Sequence, residues 1–257
     1  MNKSIRDVEK LYNNRIESSK DAVQAAGQWG EKEFVPLICN EISKKIRIKK
    51  TDKVLELGCG SGVLGNWLMN QVDFYVGIDI SFKMLQFFKN DINKNENSDV
   101  FHGITQQIPF QDNIFDLIII NGVTMYFDKK ELFIDTLKEM KRVAKNDATL
   151  FLGENITSEV YPYEFVWFNN LNLKQQIFAK QYIKIRKYFS KYDKLAGKWK
   201  NSYNTISLAN IKSIFNQNVK ISKSYSSAYT IKQKMLGKHY KGNRRIDFVI
   251  ELLEESD

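Results

Sequence analysis

The sequence is short of the residues on which oxidative, metal-dependent and covalent chemistries usually rest. Its 257 residues include two cysteines, Cys39 and Cys59, and two histidines, His102 and His239. Two cysteines build no disulfide framework, and a reducing cytoplasm is the expected setting. No His/Cys cluster carries metal-ligand spacing, no cysteine-nucleophile motif occurs, and no Ser-His-Asp arrangement can be assembled. Long apolar runs are missing too: none approaches the roughly 18 uninterrupted residues of a membrane span. The opening Met1-Asn2-Lys3-Ser4 leads into no apolar signal core, so a soluble protein is expected.

Acidic residues run short in one part of the chain. Residues 1–150 hold 21 basic and 21 acidic side chains, whereas residues 151–257 hold 18 basic and 9 acidic, which supplies the whole net charge of +9. Residues 174–200 carry nine Lys or Arg against Asp193 alone. An anionic partner is one reading of this imbalance and a solvated basic helix face is the other.

What is present centres on residues 54–65. Val54, Leu55 and Leu57 read as a buried strand, and Gly58, Gly60 and Gly62 then form a turn where a ligand can approach bare backbone. Leu64, Trp67 and Leu68 follow at helical spacing, so the turn feeds a helix whose first amides point at whatever sits there. Residues 74–79 read as a second strand ending in Asp79, 21 positions after Gly58. That offset is close to the roughly 20 residues at which doubly wound folds set a carboxylate against ribose hydroxyls. A nucleoside-bearing cofactor is predicted. Gly60, Gly62 and Gly65 also satisfy G-x-G-x-x-G, so a nicotinamide or flavin stays open on the glycines alone.

The segment Glu56-Leu57-Gly58-Cys59-Gly60-Ser61-Gly62 resembles the E/D-x-G-x-G-x-G signature of class I S-adenosylmethionine-dependent methyltransferases. Gly77-Ile78-Asp79 resembles their ribose-binding strand end, and Ile108-Pro109-Phe110 with Phe115-Asp116-Leu117-Ile118 their approach to the fourth strand. The likeness covers residues 50–155. It implies an α/β fold, a Rossmann-like doubly wound sheet with an antiparallel last strand, and S-adenosyl-L-methionine as cofactor. Cofactor contacts are then expected from Glu56, Gly58, Cys59, Gly60, Asp79, Ile80, Thr105, Gln106 and Asn121. The family usually places an acid after Gly103 to hold the adenine amino group; here that position is Ile104, so Thr105, Gln106 or a backbone carbonyl has to take its place.

Around this core, residues 1–48 are expected to form helices, and the resemblance implies that they pack over the cofactor as a lid, with Tyr12, Arg15 and Trp29 as candidates for the methionine end. Residues 49–155 form the cofactor core. Residues 156–217, rich in lysine and aromatics and longer than a simple crossover needs, read as an inserted, mainly helical acceptor-binding subdomain. Residues 218–257 complete the sheet, with Ile246, Phe248, Ile250 and Leu252 alternating as in a strand. Ser81 is expected to cap the helix carrying Met84, Leu85 and Phe88.

Methyl transfer from a sulfonium is a single in-line displacement, so positioning in a water-poor pocket is the main requirement. A base is needed only where the acceptor's proton must leave early. Glu154, at a strand's carboxyl end, and His239, in the loop before the last strand, are the candidate catalytic groups. The expected function is methylation of oxygen or nitrogen on a small soluble acceptor bearing phosphate or carboxylate. RNA methylation, nicotinamide-dependent oxidoreduction and non-catalytic cofactor binding are the other readings. No Asn-Pro-Pro-Tyr segment stands at Asn121 and no RNA-binding module is recognisable, which weighs against the first of these.

Overall fold

The computed structural model describes residues 3–26, 32–92, 97–127, 129–155, 208–215, 219–228, 230–231 and 245–253. Three helices come first: α1 (Lys3–Ser18), α2 (Ala22–Ala26) and α3 (Phe34–Ser43). The alternating part follows as β1 (Lys53–Leu57), α4 (Val63–Met69), β2 (Phe74–Asp79), α5 (Phe82–Ile92), β3 (Ser98–His102) and β4 (Phe115–Asn121). After a short 3-10 turn at Thr124–Tyr126 come α6 (Lys130–Val143), β5 (Ala144–Asn155), α7 (Leu208–Phe215), β6 (Val219–Tyr225) and β7 (Ile246–Leu252).

The strands form one seven-stranded sheet in the order β3-β2-β1-β4-β5-β7-β6. The first five run parallel, and β7 lies antiparallel between β5 and β6. This is the doubly wound sheet with a reversed last strand that the sequence suggests, and it departs from the all-parallel continuation of a nicotinamide domain.

The continuous apolar run of β4 is explained by burial on two sides. Phe115, Ile118 and Ile120 enter one core layer with Phe133, Leu137 and Met140 of α6. Leu117 and Ile119 enter the other, with Ile38 and Ile42 of α3 and Leu64 and Leu68 of α4. Helix α7 falls at the end of the stretch read as an insert, and it packs Ile211 and Phe215 into the α6 layer. Residues 156–207 of that insert lie outside the described residues.

Two polar knots fix the ends of the strands. Arg142 donates to the carbonyls of Ile108 and Phe110 and to the carboxylates of Asp112 and Glu139, pinning the segment that leads into β4. At the far side, the buried Asp247 of β7 pairs with Lys45 at 2.7 Å and accepts the Glu154 and Ser227 amides.

Candidate functional site

β1 and β4 are adjacent although two strands separate them in sequence, so the connections after their carboxyl ends diverge and leave a crevice. The glycine turn lies there. Gly58 and Cys59 amides donate to the Ile78 carbonyl, which holds the turn against β2. Gly62, at φ 81°, starts α4, and a Cβ there would lie 2.0 Å from the Phe88 ring, so the close turn requires glycine. Gly60 differs. At φ 54°, its Cβ would meet only Asp79 Oδ2, at 4.0 Å, because the neighbouring space is the open cleft.

That cleft holds about 960 Å³ of space continuous with solvent. Glu56, Gly58, Cys59, Gly60, Asp79, Ile80, Thr105, Gln106 and Asn121 all line it, as do Ile104 and Tyr12. The sequence scatters these residues over four strand ends, and the sheet brings them to one wall.

Among the described residues, the charged side chains lining the cleft are Glu56 and Asp79. Asp79 accepts the Gly60 amide at 2.8 Å and the Ser81 amide at 2.7 Å, one on each oxygen. These bonds orient the carboxylate across the turn. Burial nonetheless raises its pKa, with the two amides pulling the other way. Glu56 is 4% exposed and receives the Tyr75 hydroxyl at 2.6 Å. Burial pushes its pKa up to about 8; the Tyr75 bond opposes that rise and the charge of Asp79 adds to it. Burial raises the Cys59 thiol as well, with Asp79 and Glu56 adding to it, which makes Cys59 an inert wall residue rather than a nucleophile.

Thr105 and Gln106 line the cleft, but their polar groups are engaged with α6. The Thr105 hydroxyl bonds that of Thr136 at 2.8 Å, and the Gln106 amide donates to Thr136 Oγ1 and the Leu132 carbonyl. Ser81 caps α5, accepting the Met84 amide at 3.2 Å. His102 bonds the Ile80 carbonyl at 2.8 Å, a structural role at a strand end.

Glu154 is placed apart from the crevice. It is 6% exposed at φ 60°, its carboxylate pairs with Arg245 at 3.2 Å, and it does not line the cleft. His239 and Trp29 lie outside the described residues. Ile5 and Val8 are cleft residues that the sequence reading missed as such. With Tyr12 they form an i, i+3, i+7 face on α1, a periodicity that signals a helix face without saying what it covers. Tyr12 donates to the Tyr126 hydroxyl at 2.7 Å with the rings edge to face. No group of His, Cys, Asp and Glu among the described residues could hold a metal ion, and no described helix is long and apolar enough to cross a membrane.

A glycine turn after β1, a carboxylate ending β2 and a reversed last strand together define a class I S-adenosylmethionine-dependent methyltransferase core. Residues 55–152 match the model of the methyltransferase domain family. Demethylmenaquinone methyltransferase of Staphylococcus aureus is 32% identical over 108 residues, 40% of this chain and 43% of that protein. The chain spans less than half the length of the curated relatives it matches. Among solved structures, phosphoethanolamine N-methyltransferase 1 of Haemonchus contortus aligns with a TM-score of 0.62 at 11% identity, over 97% of this chain and 49% of that one. Geranyl diphosphate C-methyltransferase of Streptomyces coelicolor aligns at 0.58 and 11% identity, over 98% and 99%. These two likenesses establish the fold.

Proposed function

We propose that the chain transfers the methyl group of S-adenosyl-L-methionine to an oxygen or nitrogen of a small soluble acceptor bearing phosphate or carboxylate. The observation that carries the reading is the lining of the cleft: two carboxyl groups, Asp79 and the burial-protonated Glu56, line it, and no Lys or Arg among the described residues does. Such walls suit a ligand carrying a sulfonium and an ammonium. The fit extends to shape, since the open space beside Gly60 admits a ligand to the bare backbone.

Within this reading Asp79 binds the ribose hydroxyls, and Glu56, once ionised, binds the ammonium. Asn121, at the end of β4, lies toward the sulfur with Tyr12 and Tyr126, while Ile80, Ile104 and Met84 supply apolar wall. Bound S-adenosylmethionine supplies a methyl group already activated by positive charge, so the protein's share is holding the acceptor in line and excluding water. For an alcohol acceptor the base is His239, because the Glu154 carboxylate is paired with Arg245. The excess positive charge of residues 151–257 draws in the anionic acceptor.

Calorimetry with S-adenosylmethionine, S-adenosylhomocysteine and NADH tests the cofactor. Micromolar binding of the first two and none of the third is expected; the reverse order defeats the reading. Transfer of isotopically labelled methyl to phosphate- and carboxylate-bearing acceptors, with RNA alongside, then tests the acceptor. Labelling of RNA alone would replace the small-molecule reading.

A further inference from the structure

Behind the Glu56 carboxyl group on the cleft wall lies a phenol built into the sheet. Tyr75 of β2 is completely buried, and its hydroxyl donates to Glu56 Oε2 at 2.6 Å. Parallel pairing sets Glu56 opposite Gly77 and Tyr75 opposite Val54, so the phenol runs two residues along the sheet face to reach the carboxyl group. Two missing side chains make that path. A Cβ on Gly77 would lie 3.0 Å from the Tyr75 hydroxyl oxygen, and one on Gly65 of α4 would lie 2.5 Å from it. The Phe88 ring of α5 closes the slot, edge to face with Tyr75 at 6.2 Å between centroids.

An apolar side chain would fill this layer, among Val54, Leu64, Leu68 and Phe88, with no polar atom to satisfy. A buried hydroxyl is costly unless it meets a partner, and the partner here is a carboxyl group of the cleft. The hydroxyl therefore serves Glu56 rather than the packing. The other titratable groups facing Glu56 are Asp79 at the end of β2, Cys59 of the glycine turn and Cys39 of α3. Both thiols stay neutral, since burial raises Cys59 and pushes Cys39 up to about 12. Asp79 opposes a negative charge on Glu56. Of these groups it is the Tyr75 hydroxyl that favours the anion, and burial keeps the phenol itself protonated and a donor.

We propose that Tyr75 is a positioning residue for the ammonium end of the ligand: its hydroxyl, seated in the slot left by Gly65 and Gly77, fixes the Glu56 carboxylate and stabilises its anion when the cation arrives. This rests on the reading of the cleft as the S-adenosylmethionine site. Glu56 releases its proton to solvent as the ammonium binds, and a donor already in place makes that step easier, because a hydrogen bond to an ionised acceptor is stronger than one to a neutral acceptor. Without the phenol, burial and Asp79 act on Glu56 unopposed, and the carboxyl group is harder to ionise. The effect is confined to the charged end of the ligand. The nucleoside end rests on Asp79 and the glycine turn and does not depend on Tyr75.

The test is calorimetric titration of the full chain, across a range of pH, with S-adenosylmethionine and with 5′-methylthioadenosine, which keeps the nucleoside and the sulfur but has no amino-acid end. In Tyr75→Phe the dissociation constant for S-adenosylmethionine at neutral pH is expected to rise about tenfold, the factor set by one charge-assisted hydrogen bond, while that for methylthioadenosine stays within about twofold. The pH midpoint of S-adenosylmethionine binding moves up by about one unit, the same factor expressed as a proton affinity. The ligand's own amino group titrates alike in both proteins and drops out of the comparison. Made in a Glu56→Gln background, Tyr75→Phe has no further effect on either ligand. That background leaves no buried carboxylate without its donor, so it reports on Tyr75 even where the single variant folds poorly. Unchanged affinity and midpoint, equal weakening of both ligands, or a further loss in the Glu56→Gln background overturns the positioning role. Absence of S-adenosylmethionine binding by the unaltered protein is a different result, and defeats the assignment of the cleft itself.

Discussion

Glu56 illustrates how far one residue's chemistry depends on its surroundings. Its pKa near 8 in the folded chain, against 4.5 for the ordinary side chain, means that folding holds a proton on it. The stability this contributes is fully present below about pH 4.5 and is lost as pH rises through 8. Glu56→Gln should therefore flatten the fall in thermal stability between pH 6 and pH 9, read by calorimetric melting. The same change removes a charge-assisted contact and should weaken S-adenosylmethionine binding about 10- to 100-fold. Because the ionised form binds the ammonium, affinity in the unaltered protein should improve from pH 6.5 to 8.5 with proton release, measured by titration in buffers of different ionisation heat. Asp79→Ala should weaken cofactor binding and Gly60→Val abolish it, the second by filling the open approach beside the turn. Unchanged affinity in both would mean the site is elsewhere. His239→Ala should lower kcat on an alcohol acceptor without changing cofactor affinity; equal loss of both would remove it from the chemistry.

At the scale of elements, legibility followed distance along the chain. The strand, turn and helix of residues 54–69 were plain because their signals are contiguous: apolar run, glycines, then helical spacing. The continuous apolar run of β4 was readable as a buried strand, and the structure shows its side chains parcelled between two helix layers. What stayed hidden was contact between distant residues. Nothing near Lys45 announces that it pairs with Asp247, 202 positions away. Nothing in α1 says that its apolar face covers a cavity rather than a core, and the position of Glu154 at a strand end did not reveal Arg245 beside it. The same logic sets a prediction: Asp247→Ala leaves Lys45 without its buried carboxylate and the Glu154 and Ser227 amides without their acceptor. A loss of about 3–5 kcal/mol in urea unfolding is expected. Phe215→Ala should cost a similar amount, about 3–5 kcal/mol, if α7 is truly part of the sheet's cover rather than of the insert.

At the scale of the molecule the charge division is the organising fact. The neutral first part builds the cofactor cleft, and the later part carries the excess of nine positive charges. Lys-to-Glu changes at Lys184, Lys187 and Lys191 should raise KM for an anionic acceptor and leave S-adenosylmethionine affinity as it was. Equal damage to both would argue against a separate acceptor region. RNA affinity that falls steeply between 50 and 200 mM salt would instead point to nucleic acid as the partner of that basic stretch.

The reversed order at the sheet's edge also governs how the chain is made. β7 is the last of the described strands in sequence, yet it sits inside the sheet, between β5 and β6. As the polypeptide leaves the ribosome, the apolar edge of β5 stays open and β6 has no neighbour to bond until residues 246–252 emerge. A chain cut short before residue 246 would therefore keep β1 to β6 but carry a raw hydrogen-bonding margin, fit for clumping or for a chaperone rather than for work.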